Sequence, residues 1–139
     1  MGCDIHAHIE VKIKGKWCYY NELDIDRNYQ LFEKMAGVRG ELRNAIDKPR
    51  GLPECINLMT KFKSDYWDSD GHSHSWLNSK ELAELDKWTK EQMMTETRQP
   101  VFGYLFGNSF NDWFKYPDDL ERIRSFGLED FRIIFWFDN

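Results

Sequence analysis

Residues 3 to 14 alternate strictly between apolar and polar side chains. Ile5, Ala7, Ile9, Val11 and Ile13 occupy the odd positions, and Asp4, His6, His8, Glu10, Lys12 and Lys14 the even ones. A period of two predicts a half-buried strand. Gly15 then marks a tight turn into the aromatic KWCYY of residues 16 to 20, so the chain begins as a β-hairpin. In RNYQLFEKMA, residues 27 to 36, the spacing becomes helical. Tyr29, Phe32, Met35 and Ala36 form the stripe, with Asp26 as N-cap and Gly37 as stop. Residues 38 to 53, VRGELRNAIDKPRGLP, are punctuated by glycine and proline and read as a loop.

Pro53 opens a short helix whose buried positions are Ile56, Met59 and Phe62, and the acidic DSDGHSHS interrupts it as a second loop. Asn78 with Glu81 forms a capping box for a helix reaching about Met94, with Leu82, Leu85 and Trp88 as its stripe. Residues 100 to 106, PVFGYLF, read as a strand or a buried loop. Pro117, Leu120, Ile123, Phe126 and Gly127 outline a further helix. FRIIFWF, residues 131 to 137, is a nearly all-apolar strand and belongs in the middle of a sheet. With no internal repeat or linker, the pattern predicts one α+β domain over residues 1 to 139: a small, mostly antiparallel sheet packed by three or four helices.

Composition narrows the partners. The chain has 139 residues, 16% of them aromatic and 31% charged, as expected for a dense aromatic core under a polar surface. A net charge of −5 without a long basic run argues against duplex nucleic acid, while leaving room for a small anion held by a few arginines. Cys3, Cys18 and Cys55 form no CxxC pair, which points to a reducing compartment, here the cytoplasm. No apolar run reaches membrane-spanning length, and the polar MGCDIH start resembles no signal peptide. Met-Gly raises N-myristoylation, but His6 stands where that motif wants Ser or Thr.

All four histidines fall in two His-x-His pairs, His6 with His8 and His72 with His74. On a strand Asp4, His6, His8 and Glu10 share one face within about 20 Å. Closed by His72 and His74, that face would suit zinc, manganese or iron, with Glu10 or Asp70 as general base for a metal-activated water. The plainer alternative is a solvated strand face, continued by Lys12 and Lys14, and a turn made by Asp70 and Gly71. Known His-x-His enzymes fit poorly. Amidohydrolase-type barrels need a longer chain, cupins a second motif, and two-histidine phosphoesterases Ser or Thr where residue 74 is His. No Gly-x-Ser-x-Gly, P-loop or dinucleotide fingerprint occurs.

A rival constellation is cationic. Arg27, Arg39, Arg43 and Arg50 surround one helix and its following loop, near Tyr29 and Phe32, and arginine forks with aromatic faces suit a nucleotide-like ligand.

Through MGCDIHAHIE, RNYQLFEKMAGVR, PRGLP, DGHSHSWL and FWFDN, the chain resembles a family of small uncharacterised phage and prophage-associated proteins. The resemblance implies a setting inside a bacterial host cell and a candidate role in counter-defence, including interference with nucleotide-signalled immunity. It also implies more weight on His6 and His72 than on His8 and His74, which favours a pocket over a metal centre. Three functional expectations follow. The first is a sponge that sequesters a small nucleotide-type signal without a cofactor. Arg27, Tyr29, Arg39 and Arg50 would hold phosphate and base, with His6 and His72 at the rim. The second is a metal-dependent phosphodiester hydrolase with zinc or manganese on His6, His8, His72 and His74. The third is a protein-binding inhibitor anchored by Trp76 or Trp113. A homo-oligomer with the pocket between protomers is compatible with each.

Overall fold

The computed structural model describes residues 2–95 and 119–139. Strands β1 (Asp4–Ile13) and β2 (Lys16–Leu23) form the expected hairpin. Its two turn residues, Lys14 and Gly15, both have positive φ (51° and 75°), the left-handed pair that matches strand twist in a two-residue hairpin. Helix α1 (Tyr29–Ala36) buries Leu31, Phe32, Met35 and Ala36. Its cap is Asn28 rather than Asp26: the Asn28 side chain accepts from Leu31 N–H at 3.1 Å. Gly37 ends the helix at φ 74°.

Helix α2 (Leu58–Trp67) is followed by a 3-10 turn at Asp68–Asp70, strand β3 (Gly71–Asn78) and helix α3 (Ser79–Thr95). The capping box at α3 forms as expected, with Glu81 N–H donating to Asn78 Oδ1 at 2.9 Å and Asn78 N–H to Glu81 Oε1 at 3.0 Å. Helix α4 (Asp119–Ser125) and strand β4 (Leu128–Asp138) complete the described chain. The expectations for residues 100–106, Trp113 and Pro117 fall outside the described residues.

The four strands form one antiparallel sheet in the order β2-β1-β4-β3, so the apolar β4 is interior, as its sequence predicts. The fold is α+β. One difference is that GHSHS, expected within the loop DSDGHSHS, belongs to the edge strand β3 paired to β4. Its few apolar residues show no alternation over the first half, so periodicity hides it.

One sheet face carries Ile5, Ala7, Ile9, Val11, Leu77, Ile133, Phe135 and Phe137, packed with α1 and with Leu82 and Leu85 of α3. Burying each of these larger side chains stabilises by roughly 1.5–3 kcal/mol. The opposite face is also covered: His8, Glu10, Arg132, Ile134 and Trp136 are all buried there.

Helix α2 shields that second face with its polar side. Thr60 and Ser64 are its buried residues, while Leu58, Met59, Phe62 and Tyr66 are 85%, 49%, 69% and 79% exposed. The expected inward stripe of Met59 and Phe62 therefore points outward. The reason is Glu10, whose buried carboxylate needs donors. It accepts from Arg132 Nε (3.0 Å) and Nη2 (2.7 Å), Asn57 N–H (3.0 Å) and Thr60 Oγ1 (2.5 Å). A buried carboxylate is tolerated only when paired and hydrogen-bonded, and these donors rotate α2 so that Thr60 faces the sheet. Among the described residues no helix is long and apolar enough to cross a membrane.

Candidate functional site

Trp136 lies fully buried on the α2-covered face, and three histidine rings surround it. Their centroids lie 6.2 Å (His6), 5.0 Å (His8) and 5.8 Å (His74) from the indole, all within 28° of parallel. His6 and His8 come from β1, where His6 is directly opposite Trp136. His74 arrives by a different route. The β3–β4 register shifts between His72 and Ser75, and Ser73 takes the left-handed backbone at φ 55°. This bulge breaks the two-residue parity, so His74 joins Trp136 on one face and His72 joins Phe137 on the other, at 6.2 Å.

Over His6, helix α2 places Trp67, with ring centroids 4.1 Å apart at 31°, and Tyr66 meets Trp67 edge-on at 6.1 Å. A pocket of about 280 Å3 opens here between α2 and the β1–β2 hairpin, lined by His6, His8, Glu22, Phe62, Lys63, Tyr66 and Trp67. His6 Nε2 is hydrogen-bonded to the Asp138 carboxylate. His8 Nδ1 shares a 3.0 Å hydrogen bond with the Tyr19 hydroxyl. Burial, then the charges of Lys63 and His6, push the His8 pKa down to about 4, while burial pushes Tyr19 up to about 12. Within the site His8 is therefore a neutral imidazole at neutral pH. Lys63 reaches over the Tyr19 ring at 5.7 Å. A second cavity, about 480 Å3, lies on the other flank of α2, bounded by Leu52, Ser64, Asp65, Asp68 and His74.

The sequence-predicted residues divide into three places. Arg27, Tyr29 and Arg39 gather near the start of β1. Arg27 forks onto Asp4 (2.9 and 3.0 Å), Tyr29 hydroxyl accepts from Cys3 N–H (3.1 Å), and Arg39 stacks over Tyr29 at 5.3 Å. Arg50 is elsewhere. It grips Glu81 with two guanidinium nitrogens, donates to Asp47 (3.0 Å) and Trp76 O (2.9 Å), and lies over Trp76 at 4.9 Å. That arrangement fastens the 47–50 loop to the start of α3, so Arg50 is not brought into a site with Arg27 and Arg39. Arg43 pairs with Glu41 on the surface.

His6 and His72 do not meet, because the sheet lies between them. Glu10 has its oxygens filled by four donors and acts as a clamp, not as a base for water. Asp70 sits exposed in the 3-10 turn before β3. Among the described residues no group of three or more His, Cys, Asp or Glu is arranged to hold a metal ion.

Lys63, Tyr66 and Trp67 are the site residues that periodicity missed. Their signal is the polar pair Thr60 and Ser64 at i, i+4, with Leu58, Phe62 and Tyr66 recurring every four residues on another side. No protein-family model, curated protein or solved structure matches the chain.

Proposed function

We propose that the protein binds and sequesters a small, planar, anionic ligand of nucleotide type in the pocket between α2 and the β1–β2 hairpin. The observation that carries this reading is Trp67 stacked on His6 beside Lys63, in a concave site rimmed by exposed Phe62 and Tyr66. Aromatic faces supply sequence-tolerant base stacking worth about 1–3 kcal/mol per base. Lys63 supplies the charge for a phosphate, and His6 and His8 supply ring nitrogens on the floor. A volume of about 280 Å3 suits a base with its sugar better than a whole dinucleotide. The phosphates of a larger ligand would extend toward solvent past Lys63. This moves the ligand from the arginines to α2. Within the setting that the family resemblance implies, the ligand is an immune-signalling nucleotide and the protein a counter-defence sponge.

The test is to incubate the protein with a panel of cyclic mono- and dinucleotides, desalt it, heat it and chromatograph the released material. Intact nucleotide from the wild type, lost in Trp67→Ala and Lys63→Ala, supports the sponge. A converted product points to a hydrolase, and no uptake overturns the reading.

A second reading rests on the outward stripe of Leu58, Met59, Phe62 and Tyr66. Apolar side chains arranged in this way on one helix face suit docking to another protein, whether a second copy or a host factor. Metal-dependent hydrolysis draws the least support. His8 is committed to Tyr19, and His72 lies across the sheet from His6.

A further inference from the structure

On the face opposite the α2 pocket, His72 links two side chains in a chain of hydrogen bonds. Its Nε2 lies 2.8 Å from Asn139 Oδ1, and its Nδ1 lies 3.0 Å from Ser73 Oγ. Asn139 Oδ1 can only accept, so the imidazole proton sits on Nε2. Nδ1 is then left as the acceptor for the Ser73 hydroxyl proton. Nucleophile, base and a third group that fixes the base tautomer are thus in line, which is how an activated serine is recognised independently of sequence order. The backbone adds a second observation. Ser73 is a non-glycine residue at φ 55°, at the point where the β3–β4 register shifts, and this left-handed conformation turns it out of the regular alternation. The hydroxyl is held beside its base by a local strain that the strand itself does not require.

We propose that Ser73 is an acyl-accepting nucleophile, with His72 as its general base and Asn139 as the residue positioning His72. The surroundings select the substrate class. The turn leading into the strand is acidic, with Asp68 and Asp70 just upstream of Ser73 in the chain, whereas Asp138 is turned to His6 on the other face of the sheet. That disfavours a phosphate and favours a neutral carboxylic ester. Ser73 Oγ adds to the ester carbonyl carbon as its proton passes to His72 Nδ1. The C–O bond to the alcohol breaks, and the alcohol leaves with that proton. Water then adds to the acyl-serine, again giving its proton to His72. The acid is released and Ser73 regains its hydrogen, so the balance is ester plus water to acid plus alcohol.

The site shares no residue with the nucleotide pocket, and its test does not depend on that reading. Wild-type protein is treated with a fluorophosphonate serine probe, the labelled peptide is mapped by mass spectrometry, and p-nitrophenyl acetate hydrolysis is followed in parallel. The expected result is one label on Ser73, absent in Ser73→Gly, a change that suits the left-handed backbone and removes the hydroxymethyl side chain, and absent also in Ser73→Ala, which removes the hydroxyl alone. Labelling and hydrolysis fall about a hundredfold in His72→Gln, the scale of a general base. Asn139→Leu lowers both, and Asn139→Asp, which keeps the acceptor, restores them. Absence of label on Ser73, label on another residue alone, or undiminished labelling in His72→Gln would overturn the proposal.

Discussion

Trp67 covers the His6 ring with centroids 4.1 Å apart, while the Nε2 of that same ring is hydrogen-bonded to the Asp138 carboxylate, so one histidine is fixed from above by α2 and from the side by β4. The stack joins α2 to β1 within the lining of the pocket. Trp67→Ala is therefore expected to weaken nucleotide retention by about 1–3 kcal/mol, roughly 5- to 150-fold in Kd, by isothermal titration calorimetry. Asp138→Asn, which keeps the shape and replaces the carboxylate by a neutral amide, is expected to weaken it less.

Glu10 and Arg132 predict a structural penalty rather than a catalytic one. Their ion pair is buried, with side chains 0% and 6% exposed. Removing one partner leaves the other charge unpaired in the interior. Glu10→Ala should cost about 3–5 kcal/mol in urea unfolding, and the double replacement Glu10→Leu with Arg132→Met much less than twice that. A Glu10→Gln variant that kept full stability while losing an activity would contradict the clamp.

His8 makes stability pH-dependent, with a definite sign. Its pKa falls from 6.5 to about 4 on folding, so between those values the unfolded chain binds the extra proton. Stability is then full above about pH 6.5 and is lost as pH falls toward 4, by at most about 3 kcal/mol. The His74 pKa is also lowered, by burial first and then by His72 and Lys61, and contributes in the same direction. Urea midpoints measured from pH 4 to 7 should rise with pH, and more shallowly in His8→Phe.

The exposed apolar side chains of α2 should respond to substitution far less than the buried side chains of the core. Leu58→Ser and Phe62→Ser remove exposed side chains and are expected to change stability by no more than about 0.5 kcal/mol. Leu85→Ala, fully buried in α3, should cost about 2–5 kcal/mol in the same denaturation experiment.

Where hydrophobic period and local chemistry agreed, the sequence was readable. The β1–β2 hairpin, the Asn78–Glu81 capping box and the interior position of β4 follow from alternation, a reciprocal side-chain pair and an apolar run. Two features were not readable. The parity of His72 and His74 is broken by a bulge at a serine, a residue that carries no bulge signature. The polar face of β1 looks solvated because nothing local shows that α2 covers it. The covering helix turns Thr60 and Ser64 inward, against its own apolar pattern, to satisfy a carboxylate 50 residues earlier in the chain. The position of Arg50, apart from Arg27 and Arg39, was hidden for a related reason: its partner Glu81 lies 31 residues away.

The most direct measurement of the central claim is a 15N-1H NMR titration with a cyclic nucleotide that the heat-release assay shows is retained. The account predicts that the Trp67 indole and the His6, Lys63 and Tyr66 backbone signals shift with saturation, while Arg50 Nε and the Arg27 side chain stay in place. Shifts confined to Arg27, Tyr29 and Arg39, with Trp67 unmoved, would contradict it.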